Sequence, residues 1–108
     1  PVDVYLDKRN IFQPDIIFIA NENLHKIQSN GFYGAPDLVI EILFPSSVKY
    51  DLEEKKKVYE QYGVKEYWVV DPVAKNAQGF FLDNNQYEEP IKATGSISSR
   101  LLDNNFNF

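Results

Sequence analysis

Apolar and polar positions alternate at Val2, Val4 and Leu6, the tetrapeptide DKRN (7–10) interrupts them, and IFQPDIIFIA (11–20) follows as a second apolar stretch. The first twenty residues therefore predict a β-hairpin. NENLHKIQSNGFYG (21–34) is polar, carries two glycines and predicts an excursion with a short helical turn. In APDLVIEIL (35–43), Leu38, Val39, Ile40, Ile42 and Leu43 form a partly β-branched run, which predicts a buried strand with Glu41 in its middle. FPSSV (44–48) ends that strand. YDLEEKKKVYEQYG (50–63) has helical spacing, with Ser46, Ser47 or Asp51 as candidate N-caps and Gly63 as the C-terminal stop. KEYWVVDP (65–72) predicts a short strand closed by Pro72, GFFLDNNQYEE (79–89) a hairpin turning at Asp83–Asn85, and SISSRLL (96–102) a last strand. The DNN triplets at 83–85 and 103–105 both read as turn chemistry.

The resulting order, β-β-β-α-β-β-β, is that of a mixed α/β domain in which one helix crosses between strands 36–43 and 66–71, as a parallel pair requires. At 108 residues, 44% hydrophobic and 15% aromatic, the chain suffices for one domain with a small core. Without cysteine it has no disulfide and no thiolate metal site. No apolar run approaches the roughly 20 residues of a membrane span, so a cytoplasmic domain is the expectation. The net charge of −5 opposes a grip on nucleic acid by bulk electrostatics. An acidic metal site changes that picture, because it binds phosphate through its cation, and Lys55, Lys56 and Lys57 concentrate positive charge locally.

A carboxylate inside an apolar strand needs a partner. Side chains alternate across a strand, so Asp37, Val39, Glu41 and Leu43 share a face. Asp37 and Glu41 are nevertheless roughly 13 Å apart and cannot hold one small cation together. Antiparallel pairing of strand 14–20 with strand 36–43 instead brings Asp15, just after Pro14, close to Glu41 and leaves Asp37 at the far end. Two carboxylates at one end of a sheet are a usual donor set for Mg²⁺ or Mn²⁺, with water and a substrate phosphate completing the shell. On the helix, Leu52, Val58, Tyr59 and Tyr62 mark the buried stripe; Lys55 falls near its centre, and Lys57 points away. The Lys55 ammonium is thus placed to reach the two carboxylates, where it stabilises developing phosphorane charge or orients an attacking water. The competing reading is a structural ion pair between Glu41 and Lys55.

QPDIIFI, GAPDLVIEILFPSS, DLEEKKKVY and YGVKEYWVVDP resemble, in order and spacing, the "putative restriction endonuclease" family of the PD-(D/E)XK nuclease superfamily, over residues 1–102. The resemblance implies an α/β fold, a restriction-endonuclease-like mixed β-sheet core with a crossover helix, and a divalent metal used to hydrolyse DNA phosphodiesters. It assigns the Asp of PD to Asp15 and the acidic position of (D/E)XK to Glu41. The motif lysine falls at Leu43, so the lysine is expected from the following helix. Lys55 matches the lysine of the family's D-x-x-x-K-x-x-x-Y run, here Asp51, Lys55 and Tyr59. Phe44 stands where the family usually has serine. Members also carry an N-terminal helix and strand before the segment that starts here, so the single domain 1–108 is expected to lack part of that core.

Other chemistry-bearing residues read as ordinary. Lys56 and Lys57 suit a solvated helix face, His25 a surface position, Trp68 core packing and Asp37 a structural role. Glu66 and Asp71 flank a strand without a local demand for either, and the serines lack a histidine base and a nucleophile elbow. The sequence thus leads to a Mg²⁺-dependent endonuclease-like domain acting on DNA, with Asp15 and Glu41 as metal ligands and Lys55 assisting catalysis. A homodimer pairing two sites across a two-fold axis is one assembly that suits it. The rival is a catalytically silent nuclease-fold module that binds a partner or self-associates, and RNA or nucleotides are alternative substrates.

Overall fold

The computed structural model describes residues 2–43 and 49–108. Before the helix come β1 (Val4–Tyr5), β2 (Ile11–Phe12), β3 (Ile16–Phe18), a 3-10 turn (Asn21–Lys26), β4 (Ile27–Gln28), β5 (Gly31–Tyr33) and β6 (Leu38–Ile42). After α1 (Lys49–Tyr62) come β7 (Glu66–Asp71), β8 (Asn76–Asp83), β9 (Gln86–Tyr87), β10 (Ile91–Thr94), β11 (Ser96–Ser99) and β12 (Asn104–Asn107).

The expected N-terminal hairpin forms only in its first part. β1 and β2 pair antiparallel with Tyr5 opposite Ile11, across a turn in which the Asp7 carboxylate accepts the Arg9 and Asn10 amides, each at 2.7 Å. Pro14, which has no amide hydrogen to give a ladder, sits in the break that follows. Beyond it the chain leaves for another sheet, and β3 lies antiparallel to β6. The order β2-β1-β5-β4 makes a small sheet, and β10-β8-β7-β6-β3, with β9 on β8, makes the large one.

β6 and β7 pair parallel with Glu41 opposite Val69, so α1 makes the crossover that the sequence predicts. The chain is already helical at Lys49, which places Asp51 inside the first turn and not at a cap. Phe44 and the other candidate caps, Ser46 and Ser47, lie outside the described residues. The C-terminal stop is as expected. Gly63 adopts φ +86°, its amide bonds to the Glu60 carbonyl at 3.2 Å, and the Val64 amide reaches back to Tyr59 at 2.9 Å. These are the two bonds of a Schellman cap, and Val64 and Tyr59 bury themselves in the same core.

Alternation along the strands gives the large sheet two packed faces. Val39, Tyr67 and Phe80 face α1 and the small sheet, together with Val4, Phe32 and Tyr59. Leu38, Ile40, Trp68, Val70 and Phe81 face the other way, against Ile97 of the β11–β12 hairpin. Trp68 organises this second core, as its packing role requires. Gly79 lies opposite it, and a Cβ at that glycine would fall 2.5 Å from the indole ring. The indole N–H donates to Glu66 at 2.9 Å, while the other Glu66 oxygen accepts the Arg100 and Leu101 amides at 3.0 Å. Glu66 therefore ties the C-terminal hairpin to β7. Asp37 also serves the fold: it is 3% exposed, accepts the Ala20 amide at 2.7 Å and pairs with Lys65 at 3.4 Å.

The first DNN turn forms, with positive φ at Asn84 and Asn85, whereas of the second triplet only Asp103 is in the turn and Asn104 and Asn105 begin β12. That turn joins β11 to β12, so SISSRLL is half strand and half turn. β10 and β12 had no counterpart among the predicted elements.

Candidate active site

The β3–β6 register builds the site. Ile16, the first residue of β3, lies opposite Ile40, and Asp15, in the bend just before it, falls next to the end of β6 that carries Glu41. Asp15 Oδ2 accepts the Ile42 amide at 2.7 Å, which fixes this exposed carboxylate against the end of β6. An ionised carboxylate has capacity for further bonds.

Glu41 is 5% exposed. Its Oε2 accepts the Tyr59 hydroxyl at 3.1 Å and lies 3.6 Å from Lys55 Nζ. Lys55 and Tyr59 are four residues apart on α1, one turn, which is why both project over the same carboxylate. The Lys55 side chain is 24% exposed, and its ammonium, beside Glu41, also lies 5.8 Å from the centroid of the Phe12 ring.

Burial pushes the Glu41 carboxyl above the ordinary carboxylate range. The Lys55 ammonium and the Tyr59 hydroxyl oppose that shift, and the Asp15 charge adds to it. Burial, reinforced by the Glu41 charge, also pushes the Tyr59 phenol far up, so the hydroxyl remains a donor. Removing it with Tyr59→Phe is expected to move the Glu41 titration to still higher pH, read by carboxyl ¹³C NMR. An unmoved titration would mean that the hydroxyl does not hold the charged form.

The donor chemistry fits a divalent cation. One carboxylate faces solvent, the other is buried with an ammonium at its back, and Mg²⁺ typically takes only one or two carboxylates while keeping water and phosphate. Among the described residues no group of three or more His, Cys, Asp or Glu gathers, so Asp15 and Glu41 stand as the candidate donors, and Asp71, on the same face, is spent on the turn after β7.

The remaining candidates separate clearly. Leu43, at the motif-lysine position, is half-buried and apolar. Lys57 is exposed, as expected, but Lys56 is half-buried with Nζ 4.5 Å from the Phe80 ring centroid, which corrects its reading as a solvated residue. His25 is exposed in the 3-10 turn. Asp71 accepts the Val73 and Ala74 amides and shapes the turn after β7. Tyr59 was legible as core but not as the donor to Glu41, although its spacing from Lys55 carried that signal.

The family model described as "Uma2: Putative restriction endonuclease" matches residues 1–106. The chain belongs to this family. Among solved structures, a "putative nuclease belonging to DUF820 from Anabaena variabilis ATCC 29413" superposes with a TM-score of 0.64 at 22% identity. The match covers 84% of this chain and 50% of that one, so the chain spans about half the length of its structural neighbour. The shared architecture is a restriction-endonuclease-like nuclease fold. No curated protein matches the chain. Among the described residues of this Uma2 domain, no helix is long and apolar enough to cross a membrane.

Proposed function

We propose that the domain is a metal-dependent endonuclease of the PD-(D/E)XK type that hydrolyses DNA phosphodiesters. The observation that carries this reading is the setting of Glu41, a buried carboxylate met by an ammonium and a phenol from one helix face, with the Asp15 carboxylate bonded to the amide of its neighbour Ile42. Asp15 and Glu41 would hold Mg²⁺ or Mn²⁺, which when bound supplies Lewis acidity and a water of lowered pKa. The Ile42 amide orients Asp15. Tyr59 fixes the rotamer of Glu41, and Lys55 favours its charged form. The partly exposed Lys55 also supplies positive charge where a pentacovalent phosphate becomes negative.

Plasmid nicking tests the reading. Cleavage is expected with Mg²⁺ or Mn²⁺ and none with EDTA. Asp15→Asn keeps an acceptor for the Ile42 amide but lacks the charge, and is expected to slow cleavage by on the order of 10²-fold and to weaken calorimetric metal binding. Cleavage that ignores both EDTA and this substitution would remove the basis of the proposal.

A further inference from the structure

Beside Glu41 the same sheet face opens into a groove of about 380 Å³, between the first half of α1 and the strands β7 and β8. Its floor follows the sheet register. Glu41 lies opposite Val69, and Val69 opposite Gln78, so Gln78 stands two strand spacings, roughly 10 Å, from Glu41 in one row. Asn76 and Phe80 flank Gln78 on that face. Above the row, consecutive lysines diverge from α1: Lys55 over Glu41 and Lys56 over Phe80.

The chemistry assigned to Asp15, Glu41 and Lys55 uses none of the groove's polar groups. Leu43, Leu52 and Val69 give it apolar walls, the exposed carboxamides of Gln78 and Asn76 stand among them, and the carboxylates of Glu53 and Asp71 also line it, Asp71 already accepting two backbone amides. Apolar walls with a few placed polar groups are the usual composition of a small-molecule site. A nucleobase needs that combination: flat apolar faces, and an edge that both donates and accepts, as each carboxamide does.

We infer that this groove is the nucleoside subsite of the cleavage site, an inference that rests on the reading of Glu41 and Lys55 as the place of the scissile phosphate. The adjoining sugar and base lie along the row, the base edge pairs with Gln78 and Asn76, and Lys56 offsets the charge of the flanking phosphate. A base held this way is unpaired, so the substrate class is single-stranded DNA or duplex with a nucleotide drawn out of the stack.

The test is an NMR titration of the protein in EDTA with 2′-deoxynucleoside 5′-monophosphates and, separately, inorganic phosphate. Gln78→Met is run beside the parent; the side chain is exposed, so the replacement leaves the core intact. Nucleotide, but not phosphate, is expected to shift the Gln78 and Asn76 side-chain amide signals. Gln78→Met is expected to bind nucleotide about tenfold more weakly, with phosphate binding unchanged. Unmoved carboxamide signals, or equal nucleotide affinity in the variant, overturn the subsite. Because metal is left out, failure of the cleavage reading shows separately: Gln78-dependent nucleotide binding without nicking supports the groove and removes only the hydrolysis.

Discussion

Glutamine in place of Glu41 is expected to abolish metal-dependent cleavage, a loss on the order of 10³-fold or more, and to leave the domain at least as heat-stable at pH 7. Both effects have one cause. Burial raises the Glu41 pKa against the pull of Lys55 and Tyr59. A carboxyl whose folded pKa lies above its unfolded value of 4.5 binds more protons folded than unfolded between the two. Its contribution to stability is full below pH 4.5 and is lost as pH rises through the folded pKa. At neutral pH the carboxylate therefore opposes folding relative to a neutral group of the same shape. Glutamine is such a group, its carbonyl still accepts the Tyr59 hydroxyl, and Lys55, 24% exposed, can turn to water. Plasmid nicking and thermal unfolding of both proteins between pH 4 and 8 check the pair of effects. Comparison of the parent and variant curves shows the contribution of the Glu41 carboxyl. A variant that nicks within tenfold of the parent would sink the ligand assignment. An inert variant that also melts far below the parent would make Glu41 half of a structural ion pair.

Gly79→Ala is expected to produce the largest loss of stability, about 2–4 kcal/mol, or a fall in Tm of roughly 10–20 °C. The added methyl group would sit 2.5 Å from two ring carbons of Trp68, which is 1% exposed and has no room to withdraw. A displaced ring also stretches the indole bond to Glu66, whose other oxygen holds Arg100 and Leu101. Gly63→Ala is the natural control. Nothing lies within 4 Å of a Cβ there, so only the positive φ of +86° is penalised, at about 1 kcal/mol. Urea unfolding followed by the fluorescence of the single tryptophan separates the two. Equal losses would mean that the ring can yield and that sterics at Gly79 do not decide.

The sequence made the β6–α1–β7 part of the molecule legible because its signals are long and periodic. The run at 38–43, the fourteen-residue helix and the strand at 66–71 specify the parallel crossover. Once β3 is paired antiparallel, Asp15 falls at the Glu41 end of β6, where it binds the Ile42 amide. Lys55 showed itself as a charge on an apolar stripe. What escaped was set by tertiary contacts. β4 and β5 are two and three residues long, too short for any alternation, and the division of the first hairpin between two sheets turns on Pro14. Lys56 resembled its solvated neighbour Lys57 until Phe80, twenty-four positions on, came beneath it. Glu66 gave no hint of the backbone amides waiting more than thirty residues away.

That last contact has a dynamic consequence. Arg100 and Leu101 occupy an exposed turn, where amides ordinarily exchange with solvent through small local fluctuations. Here their hydrogens point at a carboxylate anchored in the middle of the large sheet, and releasing them strands a charge in the interior. The hairpin 96–107 and strand 66–71 are therefore expected to open together as one cooperative unit, and hydrogen exchange at Arg100 and Leu101 to run on the slow timescale of the sheet beneath them.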